Sequence, residues 1–273
     1  MSELEGQVAF ITGAARGQGR SHAVALAARG VDIVALDLCQ DIDTMSYPLA
    51  SPEDLDETVR LVEAEGRRIL ARQADVRDLA AVSAVVAEGR AEFGRLDIVL
   101  ANAGIAPALG KPVDPARSWG DIIDVNLTGV WNTAWATKQA LIDGGRGGSM
   151  ILTSSTMGLR AVAGGSPGSE AYVASKHAVV GLMKSLALEL APHSIRVNSV
   201  HPTGANTPMV VNEAMTAWIA ENADAAASGM QNALPVELIE ASDVTNAVVW
   251  LVSDAARYLT GVALPVDAGF IIR

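Results

Sequence analysis

The chain has 273 residues with 20 Lys+Arg against 31 Asp+Glu, a formal charge of −11, and half of its residues are hydrophobic while only 4% are aromatic. Such a length buries a large core without disulfide staples, and the apolar content excludes a disordered chain. The acidic balance and the few scattered aromatics argue against a nucleic-acid groove, which needs local positive charge and stacking platforms.

Short apolar runs alternate with amphipathic ones. The pattern predicts a strand at Gln7–Thr12, a helix at Gln18–Arg29 stopped by Gly30, a strand at Val31–Leu36 and a helix at Pro52–Glu65 ended by Gly66. A strand at Arg68–Gln73, a helix at Leu79–Phe93 and a strand at Ile98–Ala101 follow. A long helix is predicted from about Trp119 to Ile142, then a strand at Ser149–Ser154, a helix at Ala171–Leu190 and a strand at Ile195–Val200. The chain closes with a helix at Ala241–Ser253 and a strand at Val262–Val266. Buried strands alternating with helices through short loops predict an α/β, doubly wound Rossmann-type parallel sheet with helices on both faces, built as a single domain over residues 1–273. Two segments break the rhythm: a polar insertion at Leu38–Ser51, and a Met- and Ala-rich stretch at Thr207–Glu237 that reads as a lid.

Cys39 is the single cysteine, so there is no intrachain disulfide framework, and it reads as a small buried hydrophobe. The four histidines show no metal-ligand spacing, and no metal is expected. No uncharged apolar run reaches the roughly 18 residues of a membrane span, and the first residues are acidic where a signal peptide is basic, so a cytoplasmic protein with no membrane partner is expected.

The first predicted strand runs into Thr12-Gly13-Ala14-Ala15-Arg16-Gly17-Gln18-Gly19. Glycines between a strand and a helix let the backbone turn tightly against a pyrophosphate, whose charge meets the positive end of the helix. Asp37 ends the second strand, 18 residues beyond Gly19, where a carboxylate accepts from ribose hydroxyls and repels a 2′-phosphate. Arg16 pulls toward a 2′-phosphate, but Leu38 rather than a second Arg follows the acid, so NAD is favoured over NADP. Tyr172 and Lys176, at i and i+4, share one helix face, and a nearby ammonium is expected to lower the phenol pKa and fit it for proton exchange. Tyr47 lies in the insertion, and Tyr258 has no lysine neighbour in sequence.

These motifs, with Asp75-Val76, Asn102-Ala103-Gly104, Asn126, Ser155, Pro202…Thr207 and Val266-Asp267, resemble the short-chain dehydrogenase/reductase family along nearly the whole chain. The resemblance implies a seven-stranded sheet and hydride transfer between NAD(P) and an alcohol/carbonyl pair. It makes Tyr172 the general acid/base, Lys176 the group that tunes it and holds the nicotinamide ribose, Ser155 the carbonyl-orienting hydroxyl, and Asn126 the holder of a water linked to Lys176. On the cofactor side it places Gly13, Arg16, Gly17, Gln18 and Gly19 at the phosphates, and Asp37 and Leu38 at the adenosine ribose. Asp75 and Val76 flank the adenine, with Asn102, Ala103 and Gly104 behind the cofactor. Pro202, Met209, Tyr172 and Lys176 are also expected to contact the cofactor, and Thr207 binds the carboxamide.

In the common family pattern the serine lies closer to the tyrosine, at the place Leu159 holds here. Ser155-Thr156-Met157-Gly158 matches the local motif, so the gap of 17 residues implies extra residues near Val162–Ser169, with Ser154 as the alternative serine. Ala101 stands where the family has a first Asn, and Thr203 replaces a Gly.

The insertion after Asp37 and the His201-Pro202-Thr203-Gly204…Thr207-Pro208-Met209 run resemble the mycofactocin-coupled, carveol dehydrogenase-like subgroup, which implies NAD held in place and recycled by an external redox carrier. Ser155, Met157, Tyr172, Met209, Trp218 and Met230 are expected to line the substrate pocket. No Arg or Lys lies between Thr207 and Glu237, pointing to a neutral, hydrophobic secondary alcohol or ketone, although methionines also serve as core gap-fillers. A 3-oxoacyl or hydroxysteroid-type reductase, and a non-catalytic NAD(H) sensor, are the competing readings. In the family the helix holding Trp131 and Trp135 and the helix from Ala171 pair across two-fold axes, so the resemblance implies a homotetramer.

Overall fold

A computed structural model describes residues 4–110, 112–161, 165–222 and 231–273. In chain order its elements are β1 Val8–Thr12, α1 Gly17–Ala27, β2 Asp32–Asp37, α2 Pro52–Ala64, β3 Ile69–Gln73, α3 Leu79–Phe93 and β4 Ile98–Ala101. Next come α4 Pro115–Ile123, a π-helical turn at Asp124–Thr128, α5 Gly129–Gly144, β5 Gly148–Thr153, a 3₁₀ turn at Thr156–Gly158, α6 Pro167–Leu190 and β6 Ile195–Pro202. The last are β7 Ala205–Asn206, α7 Glu213–Glu221, β8 Ile239–Glu240, α8 Ala241–Val252 and β9 Ala263–Val266.

One seven-stranded sheet runs in the order β3-β2-β1-β4-β5-β6-β9, with every neighbouring pair parallel. Alternate residues of each strand point to opposite faces. Val8, Phe10, Val34 and Leu36 therefore pack into one core with Val82 and Val85 of α3, Val130 and Leu141 of α5 and Val179 of α6. Ala9, Ile11, Ile33 and Ala35 pack on the other side with Leu26 of α1, Leu55 and Val62 of α2 and Val248 of α8. The order reverses between β1 and β4, and the crevice beyond the carboxyl ends of these strands is where doubly wound sheets take ligands.

Helix starts are set by local chemistry. α2 opens with a reciprocal Ser51/Asp54 capping box and Pro52 in its first turn. At α3, Asp78 accepts from Ala80 N and Ala81 N. The last long helix begins at Pro167 rather than the expected Ala171, because the Ser166 side chain caps Ser169 N and proline suits a helix start. The expected single helix over Trp119–Ile142 begins earlier, at Pro115 behind the Asp114 cap, and the π-turn at Asp124–Thr128 divides it. Such turns shift the hydrogen-bond register and recur at functional sites. A further helix, α7, lies within the Met- and Ala-rich stretch and has no buried residue. Cys39 is buried, as expected of a small hydrophobe.

Candidate active site

The crevice over β1 and β4 is an open cleft of about 1080 Å³ including its mouth. Sixteen of the expected site residues line it: Gly13, Arg16, Gly17, Gln18, Gly19, Asp37, Leu38, Asp75, Val76, Asn102, Ala103, Gly104, Tyr172, Lys176, Thr207 and Met209.

At the β1–α1 turn the backbone is packed so closely that side chains are excluded. Gly13 has φ +66°, and a Cβ there would lie 2.9 Å from Ala103 Cα; a Cβ on Gly19 would overlap the Gly13 carbonyl oxygen. Asn102 holds this turn from behind, donating from Nδ2 to the carbonyls of Thr12 (3.0 Å) and Gly13 (3.3 Å). No side chain caps α1, and its first turn carries no acid, which leaves its N-terminus electropositive. On the same wall Gln18 Oε1 is buried without a hydrogen-bond partner among the described residues, a polar atom left for a ligand to satisfy. A Cβ-free cradle, a free helix N-terminus and an orphaned amide oxygen together fit a dinucleotide.

Asp37 closes β2 at the cleft. Its carboxylate accepts from Ala15 N (2.9 Å) and Cys39 N (3.2 Å), and burial nevertheless pushes its pKa up. Asp75 also lines the cleft, but its carboxylate is committed to Arg77, which donates to it from Nε and from its backbone N. Arg16, weighed above as a 2′-phosphate partner, instead donates to Pro48 O at 2.7 Å and so ties the Gly loop to the insertion.

The insertion itself forms part of the cleft wall. Ile42, Tyr47, Leu49 and Ala50 line it. The Tyr47 hydroxyl accepts from Ala106 N (2.9 Å), Ser46 Oγ accepts from Leu109 N (3.1 Å), and Thr44 Oγ1 donates to Asp121 (2.6 Å). The segment thus bridges from the end of β2 to the loop after β4 and on to α4. Tyr47 is buried, and burial pushes its phenol up to about 12. The insertion beside Asp37 was expected near the cofactor; which of its residues face the cleft carried no periodic signal.

At the other end of the cleft β5 delivers Ser154 and Ser155, and α6 delivers Tyr172 and Lys176. Ser154 Oγ donates to the Lys176 carbonyl at 2.8 Å, whereas the Ser155 hydroxyl hydrogen-bonds the Tyr172 phenol and accepts from Met157 N at 3.2 Å. The geometry therefore favours Ser155 as the tyrosine's partner. Lys176 Nζ lies 5.5 Å from the Tyr172 ring centre and donates to Thr153 O at 3.1 Å. Burial lowers the Lys176 pKa to about 8. The expected depression of the phenol by this ammonium is reversed: burial raises Tyr172, and only the Ser155 hydrogen bond pulls it down.

Several expected residues sit outside the cleft wall, Ser155 among them, whereas the alternative serine, Ser154, lies on it. Asn126 is fully buried on the π-turn, accepting from Ile105 N (2.8 Å) and donating to Ile105 O (2.9 Å), so its side chain is spent on the backbone beside Lys176. Pro202 ends β6. Met157 lies on the 3₁₀ turn after Ser155, and Trp218 is half-buried on α7. Met230, and residues 162–164 of the Val162–Ser169 loop, lie outside the described residues. Sequence reasoning did not name the individual insertion residues on the wall, nor Ile105 and Val125, apolar residues whose exposure to the cleft depends on where β4 and the π-turn end.

Among the described residues there is no metal-ligating cluster and no helix long and apolar enough to cross a membrane. A family model described as enoyl-(acyl carrier protein) reductase matches residues 13–271. An uncharacterized oxidoreductase of Mycobacterium tuberculosis is 54% identical over 268 residues, covering 98% of this chain and 97% of that protein. The (−)-trans-carveol dehydrogenase of Rhodococcus erythropolis is 49% identical over 282 residues, with both chains fully covered. The crystal structure of carveol dehydrogenase from Mycobacterium avium in complex with NAD superposes with a TM-score of 0.92 at 47% identity, covering both chains completely. With the cradle, the serine–tyrosine–lysine group and these relatives in agreement, the chain belongs to the short-chain dehydrogenase/reductase family of oxidoreductases.

Proposed function

We propose that this protein is an NAD-dependent dehydrogenase acting on a neutral, hydrophobic secondary alcohol or its ketone. The observation that carries the reading is the Tyr172–Lys176 pair on the same cleft as the glycine cradle, with Ser155 beside the phenol. The cradle and the α1 N-terminus would hold the pyrophosphate, and Asp37 the adenosine ribose, where its charge disfavours a 2′-phosphate. When bound, the nicotinamide supplies the hydride acceptor for alcohol oxidation. Tyr172 would exchange a proton at the substrate oxygen, and Ser155 would orient that oxygen by a hydrogen bond. Because burial favours the neutral phenol, Tyr172 is held ready as an acid toward a ketone. In oxidation the cationic form of Lys176 offsets the charge of the phenolate.

Met209 on the cleft wall and the absence of Lys and Arg between Thr207 and Glu237 support an uncharged substrate. The relative that acts on carveol supports a cyclic terpenoid-like alcohol. The insertion's bonds to Ala106, Leu109 and Asp121 and its tie to Arg16 support slow cofactor release, and hence recycling by an external redox carrier of the mycofactocin type. Trp131 and Trp135, both exposed, stack at 5.3 Å on α5 and support assembly into a homotetramer.

Tyr172→Phe tests the central reading. It is expected to abolish turnover of a panel of cyclic and linear alcohols, assayed with an artificial electron acceptor, while leaving NAD binding intact. Undiminished turnover would overturn the assignment. Exhaustive dialysis that strips all nucleotide from the purified protein would overturn slow release.

A further inference from the structure

His201 is a fully buried imidazole on β6 that the proposed chemistry does not use, yet it reaches the serine through the sheet. Its Nδ1 lies 2.9 Å from the Ser155 carbonyl oxygen and its Nε2 lies 2.8 Å from Ser199 Oγ. A carbonyl only accepts, so Nδ1 carries the proton. Nε2 of the neutral ring is then an acceptor, and the Ser199 hydroxyl donates to it. Both ring nitrogens are satisfied in one tautomer only.

The pin falls where the backbone has little other support. Ser155 has left the β5 ladder, whose last bond of this kind is from Ser154 N to Val200 O, and it precedes the short turn Thr156–Gly158. The other bond to its carbonyl is local, from Gly158 N at 2.9 Å. Among the described residues, His201 is the contact that ties the Ser155 carbonyl to a distant strand. From this geometry we infer that His201 is a positioning residue: locked as the Nδ1–H tautomer, it fixes the Ser155 backbone and thereby the hydroxyl that meets Tyr172. Burial, aided by the charges of Lys176 and His177, holds the imidazole below its ordinary pKa, so the neutral form persists. A site group needs placement within about 0.5 Å of its working geometry, and loosening by about 1 Å can cost a hundredfold.

The inference rests on the proposed function, and two measurements separate its failure from failure of that reading. The first needs no turnover: ¹⁵N spectra of the imidazole in the full-length protein should show a protonated Nδ1 and an unprotonated Nε2, unchanged from pH 6 to 9. An Nε2–H pattern, or titration near the ordinary histidine value, would overturn it. The second compares His201→Asn, whose amide reaches the Nδ1 position, with His201→Gln, whose amide reaches the Nε2 position. The Asn variant is expected within about threefold of the parent kcat and the Gln variant at least about tenfold down, with KM and NAD affinity within about threefold in both. Equal activity of the two variants, at any level, would overturn the inference. Should Tyr172→Phe turn over normally, the functional reading falls while the imidazole spectrum still decides the tautomer.

Discussion

Gly19→Ala isolates the cradle, because Gly19 has an ordinary φ and the cost is steric alone. The added methyl would overlap the Gly13 carbonyl oxygen and stand 2.7 Å from its carbon and 2.9 Å from Asn102 Nδ2, where ordinary contact begins at 3.4 Å. Gly13 has no free direction to yield: it sits against Ala103, and Asn102 is bonded to the carbonyls of both Thr12 and Gly13. Overpacking of this kind costs about 1–3 kcal/mol. Borne by the phosphate loop, that weakens NAD binding by about 5- to 150-fold. Borne by the fold, it lowers Tm by roughly 2–4 °C per kcal/mol. Titration calorimetry with NAD and thermal unfolding on the same preparation measure both shares. Gly120→Ala in α4 is the control: a Cβ there meets nothing within 4 Å, so it should stabilise by about 0.5–1 kcal/mol and leave binding unchanged. A Gly19→Ala protein with parental NAD affinity and parental Tm would refute the reasoning.

Arg16→Ala removes the 2.7 Å bond to Pro48 O. The loss of about 1 kcal/mol should speed cofactor release about fivefold in stopped-flow displacement, and an unchanged rate would count against the insertion as a strap. His22 is buried, with Nδ1 2.8 Å from Thr245 Oγ1, and burial lowers its pKa to about 3 from 6.5. A depressed folded-state value gives stability that is present above pH 6.5 and lost as pH falls toward 3. Between pH 7 and pH 5 the loss from this group is about 2 kcal/mol, and urea unfolding of His22→Gln should show a pH dependence weaker by that amount. Parallel pH profiles for parent and variant would contradict it.

Much of the fold was legible because its signals are local. Short apolar runs marked the strands, and the spacing of Tyr172 and Lys176 is a property of any α-helix. The Gly13–Gly19 string announced a turn that only a backbone stripped of side chains can make. What the sequence could not carry were matters of which distant groups meet. Leu38–Ser51 has no periodicity, and its place on the cleft wall comes from bonds to Ala106, Leu109 and Asp121, residues far along the chain. That Arg16 is bonded to Pro48, and that the carboxylate of Asp75, expected beside the adenine, is paired with Arg77, could be read only from the fold. The sign of the Tyr172 shift likewise depends on how much protein surrounds the ring, a quantity that no spacing encodes. Residue type and spacing by themselves marked the strands, the glycine turn and the tyrosine–lysine pair, since each follows from a local pattern along the chain. The tertiary structure decided what covers the cleft, which polar groups are already paired and where protons sit, because those depend on desolvation and on partners brought together only by packing.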